Sequence, residues 1–301
     1  MQISLTAPSQ RLASVAVFFS ASLWGIYWIP LRSLEEHGID GTIAAVLLNL
    51  PAAVILGLFT IWNWSRYRPT LKSALLIGSM AGLGLSLYTA GLVMTSVVRA
   101  TMLFYLTPIW STLIGIVWLG EQAGWRRWAG IACALIGLSL MLSGGSTVPL
   151  NVGDVFALAS GVAWAVAAAL INHRSDVPLI SMTAIQFGFT ALGTGLLGVL
   201  VGSSLADPAA IASALPYAAS LSVLILLPAV VVLFWGQKFV SPGRVGLLMM
   251  SEALVAVLSA AWLLPEERMG LVAWIGAVMI LGGFLIELQP PLRKPRSADP
   301  A

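Results

Sequence analysis

Charge is what this sequence lacks most. Of 301 residues only 9% are Asp, Glu, Lys or Arg, against about a quarter in soluble domains. A water-soluble chain of this length needs a polar shell, and this one cannot build it. With 59% hydrophobic residues and a mean hydropathy of +0.95, the composition implies an integral membrane protein. Cysteine is almost missing too. The single Cys133 excludes an internal disulfide or a multi-thiolate zinc site and reads as a small apolar filler. There is no GxxxxGK[ST] phosphate loop, so ATP is not a direct drive. There is no HExxH, no GxSxG and no pair of deep acids, and the two histidines, His37 and His173, fall at opposite membrane faces. An intramembrane enzyme is therefore only a remote alternative, and no catalytic residue, cofactor or metal is expected. The net charge of +3 and pI near 9.3 do not point to nucleic acid, because in a membrane chain the placement of basic residues matters more than their sum.

What is present is a series of long apolar runs. Arg11, an apolar stretch and the small residues Ser20-Ala21-Ser22 outline a signal peptide, but the run continues to Leu31. That is enough to span a core of about 30 Å at about 1.5 Å per residue, so it reads as a first helix that stays attached. Charged residues divide the chain into ten spans, at about 12–32, 41–63, 72–94, 98–120, 126–144, 152–172, 178–202, 211–236, 244–264 and 269–288. Their length demands helices, since a barrel strand needs only about ten residues and alternates. With the N-terminus inside, twelve basic residues face the cytoplasm: Arg11, Arg66, Arg68, Lys72, Arg126, Arg127, Arg174, Lys238, Arg244, Arg293, Lys294 and Arg296. Only Arg32, Arg99 and Arg268 face the other side. This positive-inside bias fixes ten spans with both termini cytoplasmic. Residues 1–10 are then a cytoplasmic segment and 289–301, Pro-rich and basic, a cytoplasmic tail near anionic headgroups.

The chain also repeats itself. At a shift of 145, Arg99 meets Arg244, Trp118 meets Leu263 and Glu121 meets Glu266. Glycines seven apart follow in each half, Gly130/Gly137 and Gly276/Gly283, and a tryptophan stands among small residues near each start, Trp24 and Trp164. The halves are 11–144 and 152–288, joined by a linker over 145–151. Five spans are an odd number, so the second half enters from the opposite side. Inverted halves of this kind belong to secondary transporters, which expose a central site alternately to either face.

FYLTPIWSTLIGIVWLGEQAGWRRWAGIACALIGLSLML (104–142) and SASLWGIYWIP resemble segments of the drug/metabolite transporter superfamily, in its ten-helix EamA-like branch. The aromatics of SLYTAG, LFYLTP and GVAWAV look closest to bacterial aromatic amino acid exporters. The resemblance implies an all-α membrane fold of ten helices in two inverted five-helix repeats. Spans 1–4 and 6–9 would enclose a central cavity, with spans 5 and 10 outside it, in a bacterial inner membrane. Two departures stand out. Thr107-Pro108 replaces the acid–Pro pair of the family, and Glu252-Ala253 keeps the acid but loses the proline. Span 4 should therefore bend at Pro108 while span 9 stays straighter.

The candidate site follows from what the spans carry. Glu252 is an acid deep in an apolar span. Placing it there costs at least about 2.5 kcal/mol, so it should face a cavity or a partner. Either it meets a substrate ammonium, or it couples transport to a proton, or it ties two helices together. Tryptophan and tyrosine offer a flat face and one hydrogen-bonding tip; Trp24, Tyr88, Tyr105 and Trp164 are the expected lining. Gln186, with Asn49 and Asn172, can bond an amino acid backbone or a neighbouring helix. Arg99 can attract a carboxylate or anchor at the interface. Trp62, Trp64, Trp118, Trp125, Trp128 and Trp262 lie near span ends and read as interfacial belts. Of the prolines inside spans (Pro30, Pro51, Pro108 and Pro228), Pro108 and Pro228 are candidate hinges, since each removes a backbone hydrogen bond. The leading function is export of small amphipathic metabolites, amino acids including aromatic ones, by alternating access. Alternatives are efflux of cationic drugs, movement of a sugar or nucleotide conjugate and, more remotely, a channel or an intramembrane enzyme. The partners are the solute and the bilayer, and a homodimer is left open.

Overall fold

The computed structural model describes residues 9–95, 97–141, 151–202, 207–263 and 270–288. Its described residues contain helices and no strand; a helix satisfies its backbone hydrogen bonds within its own segment, as a span in lipid must. In order they are α1 (Gln10–Trp24), α2 (Trp28–Glu36), α3 (Gly41–Trp62), α4 (Trp64–Tyr67), α5 (Leu71–Met94), α6 (Val97–Phe104), α7 (Thr107–Leu119) and α8 (Trp125–Met141). Then come α9 (Val152–His173), α10 (Leu179–Val201), α11 (Pro208–Leu221), α12 (Leu227–Gln237), α13 (Pro242–Met249), α14 (Ser251–Leu263) and α15 (Leu271–Leu288).

Taken with their short breaks, these make eight helices long and apolar enough to cross a membrane among the described residues. They are Gln10–Glu36, Gly41–Trp62, Trp64–Met94, Ala100–Leu119, Val152–His173, Leu179–Val201, Pro208–Gln237 and Pro242–Leu263. The remaining two expected spans coincide with α8 and α15. With 17 residues, α8 extends about 25 Å, short of a full crossing; the rest of its expected span, to 144, lies outside the described residues. So do Glu266, Arg268, linker residues 145–150 and the tail.

Small residues decide which helices touch, because in lipid close backbone approach replaces the hydrophobic drive. The seam between α8 and α15 shows this most clearly. A Cβ on Gly137 would stand 2.5 Å from the Gly276 carbonyl, and one on Gly283 2.7 Å from that of Gly130. Gly130 faces Gly283 and Gly137 faces Gly276, so the helices run antiparallel with both glycine pairs in one register. Elsewhere α5 packs on α9 and α10, α3 on α10, α7 on α13, and α1 on α12 and α14. Gly78 and Gly82 of α5 lie against Met182–Ile185 and Gln186–Phe189 of α10. The expected interfacial tryptophans are exposed, Trp62 and Trp262 most of all at 87%.

Four crossings are interrupted. Between α1 and α2, three successive bonds shorten to i→i−3: Gly25 to Ser22, Ile26 to Leu23 and Tyr27 to Trp24. Span 4 breaks between α6 and α7, where the Leu106 N–H reaches Leu103 at 3.3 Å, two residues before Pro108. Span 9 breaks at Met250, whose N–H reaches Leu247 at 3.1 Å. Span 9 is thus interrupted as span 4 is. Its break needs no proline, because Ser251 Oγ donates to the Phe18 carbonyl of α1 at 3.0 Å and Gly25 lets α1 press against this turn. In span 8 a π-turn over Ser222–Leu226 precedes Pro228. The missing N–H and the ring of Pro228 spoil the α ladder there, and the wider i→i−5 turn accommodates them. Ser222 Oγ accepts the Ala52 N–H at 3.1 Å, tying this turn to α3 just after Pro51.

Candidate functional site

The breaks converge. Trp24 is the last residue of α1, Phe104 the last of α6, Met249 the last of α13, and Glu252 the second of α14. These four border one cavity, together with Tyr88 and Leu85 of α5, Trp164 of α9 and Leu233 of α12. Its space is about 320 Å³, counting the part open to solvent. Four lining residues precede residue 144 and four follow 151, so both halves build it, and neither α8 nor α15 contributes a wall. An interrupted helix suits this place, since irregular backbone at membrane depth is tolerated where it lines a cavity.

Glu252 supplies the charge. It is half-buried, enclosed by helices with part of its surface toward the cavity. The hydroxyl of Tyr105, itself only 3% exposed, donates a hydrogen bond to its carboxylate. Tyr105 thus stands behind the wall and orients the acid instead of facing the space. Tyr88 OH pairs with Thr101 Oγ1 at 3.2 Å, and its ring lies 4.6 Å from that of Phe104. Trp164 donates from Nε1 to Met249 Sδ at 3.0 Å. Trp24 stacks beside Tyr27 at 5.1 Å, and its own Nε1 is buried with no partner. Aromatic faces, an apolar floor and one carboxylate can hold an amphipathic solute with a protonated amine.

Of the residues expected at the site, the structure brings Trp24, Tyr88, Trp164 and Glu252 to the cavity, with Tyr105 against Glu252. Gln186 is a correction. It is fully buried in α10, its Nε2 donating to Thr190 Oγ1 at 3.0 Å, and it faces the packed body of the bundle because α5 closes on α10 through Gly78 and Gly82. Asn49 donates back to the Ala45 carbonyl at 2.8 Å. Pro108 is buried, with the α13 backbone packed on it at Gly246. The side chain of Arg99 lies outside the described residues. Sequence reasoning missed Leu85, Phe104, Leu233 and Met249. Phe104 had a signal in LFYLTP, but only the break after it turns its ring inward; the aliphatic residues resemble any other core leucine.

Two polar clusters close the ends of the bundle. At one, Arg127 pairs with Glu121 at 2.9 Å, both largely buried, and reaches Ser241 Oγ at 3.0 Å. Asn172 donates to the carbonyls of Gln237 and Val240 at 3.3 and 3.1 Å, Lys238 Nζ donates to that of Ser175 at 2.8 Å, and His173 stacks on Trp118. Partial burial lowers the Lys238 ammonium below the ordinary lysine value, and Asp176 works against that shift. At the other end Thr95 donates to Asp154 at 2.8 Å, inside the capping box of Asn151 and Asp154 that starts α9. Asp154 is a second buried acid, 7% exposed. The Asn-x-x-Asp spacing before an apolar run was its signal.

The EamA-like transporter family matches the chain twice, over residues 11–143 and 151–288. A protein of Archaeoglobus fulgidus described as an uncharacterized transporter is 27% identical over 284 residues, covering 92% of this chain and 96% of that one. A protein of known crystal structure superposes with a TM-score of 0.70 at 20% identity, over 93% of this chain and 97% of the other; that likeness concerns the fold.

Proposed function

The chain belongs to the EamA-like transporter family, and from that premise we propose that it moves small amphipathic solutes bearing a protonated amino group, by alternating access through the cavity at Glu252. The chain is a multi-pass membrane transporter and not an enzyme; the solute, the direction and the mechanism are the proposal. The observation that carries it is the composition of the cavity wall: one carboxylate, three aromatic residues with polar tips, and apolar surface drawn equally from both halves.

Two inverted five-helix halves, 11–144 and 152–288, would exchange conformations around the cavity, with both termini cytoplasmic in a bacterial inner membrane and export as the direction. The antiparallel glycine register of α8 and α15 supports such an axis, because Gly130 and Gly137 meet Gly283 and Gly276 in mirrored order. Glu252 contacts the ammonium and, on release, can take a proton in its place. Pro108 and Pro228 stand beside backbone breaks and serve as hinges. Aromatic amino acids are one class that fits. Cationic amphipaths are the second, favoured because Glu252 is the only charged residue on the wall among the described residues.

The test is uptake of labelled tryptophan into proteoliposomes containing the purified protein, competed by phenylalanine, a cationic dye and a sugar. Saturable uptake blocked by phenylalanine or by the dye, and lost in Glu252→Gln, is the expected result. Uptake no greater than in empty liposomes for every labelled amine tried, with folded protein, would refute the reading.

A further inference from the structure

Resting on that reading of the cavity as the solute site, we infer that it selects a monocation over a zwitterion: an amphipathic amine whose second polar group is a neutral acceptor, such as an ester or amide, in place of a free carboxylate. The reasoning starts from an imbalance of charge. Among the described residues, the wall holds one acid and no Lys, Arg or His. A protonated amine therefore meets Glu252, whereas a solute carboxylate meets no cation on the wall, and a charge buried without a partner is heavily penalised. The buried Arg127 cannot serve, because Glu121 and Ser241 hold it at the end of the bundle.

The donors agree. The Tyr105 hydroxyl is given to Glu252, Trp164 Nε1 to Met249, and Tyr88 pairs with Thr101. Among the described residues of the wall, Trp24 Nε1 is buried and has no protein partner. A single neutral N–H matches a single neutral acceptor, and leaving it unpaired is costly. Trp24 and Glu252 also adjoin across the α1–α14 contact, where the next residue, Gly25, presses on the Glu252 carbonyl. Leu85, Phe104 and Leu233 provide apolar surface for the rest of the molecule.

A matched indole series tests this with the full-length protein in nanodiscs: tryptamine, tryptophan methyl ester, tryptophan and indole-3-propionate, compared by direct binding. Ester and tryptamine should bind at least about tenfold tighter than tryptophan, a difference of about 1.4 kcal/mol, and the propionate should not bind. Glu252→Gln should flatten the series. If that variant fails to fold, Glu252→Asp should keep the order at weaker affinity. Trp24→Phe should weaken the ester and leave tryptamine nearly unchanged, while Arg99→Gln should leave the order intact. Tryptophan binding as tightly as its ester, an order that collapses in Arg99→Gln, or no binding by any member to folded protein would overturn the inference. The expected order without flux into proteoliposomes would keep the selectivity and refute transport; equal flux of ester and amino acid would do the reverse.

Discussion

Gly25→Ala tests the link between helix packing and the site. Gly25 has φ −62° and ψ −21°, an ordinary right-handed conformation that alanine adopts without strain. The damage would come from contact alone. A Cβ there would lie 2.5 Å from the Glu252 carbonyl oxygen, 2.7 Å from Val255 Cβ and 2.9 Å from the Ala256 nitrogen. Two of these neighbours are backbone and cannot rotate away. Ordinary contact starts at 3.4 Å, so α1 and α14 must separate by close to about 0.9 Å where they meet. Overpacking of this kind costs about 1–3 kcal/mol, a sizeable share of a total stability of about 5–15 kcal/mol. It also moves the backbone that carries Glu252. The expected result is a lower thermal midpoint in detergent, followed by intrinsic fluorescence, together with weaker binding of a cationic indole. Gly57→Ala in α3 is the control: nothing lies within 4 Å of its Cβ position, so it should be neutral or gain up to about 1 kcal/mol from helix propensity. A Gly25→Ala protein as stable as the parent, with unchanged binding, would refute the claim that this contact sets the site.

Arg127→Leu should leave the Glu121 carboxylate buried without its partner and cost about 3–5 kcal/mol; Glu121→Gln/Arg127→Leu should recover part of that loss in the same thermal assay. Gly137→Val should force α8 from α15, since its Cβ would stand 2.5 Å from the Gly276 carbonyl. Lower thermal stability with cation binding retained by the surviving folded fraction is expected, because neither helix lines the cavity. Pro228→Ala should let the π-turn over Ser222–Leu226 relax toward a regular helix; transport rate in proteoliposomes should fall more than binding affinity, and an unchanged rate would remove Pro228 as a hinge.

Much of this protein was legible one residue at a time. The scarcity of charge placed it in a membrane, and run lengths gave helices in the right places. The glycines at 130, 137, 276 and 283 announced a close helix seam, and an acid as costly as Glu252 announced a cavity. Trp24, Tyr88 and Trp164 followed from their depth among small residues. These properties are local: hydropathy, spacing and the cost of one buried charge are carried by the chain itself.

Direction was not legible. Gln186 has the same chemistry and depth as a ligand-binding amide, yet α5 closes on α10 through Gly78 and Gly82 and turns it into the packing. Span 9 contains no proline at its midpoint, yet it breaks at Met250 because Ser251 and Gly25 bind it to α1. Tyr105 proved to be the partner of Glu252 and not an open wall, and Leu85, Leu233 and Met249 became lining residues that no pattern marks. A helix exposes all its faces to its own sequence, and only contact with its neighbours decides which face meets solute, which meets lipid and where the backbone yields.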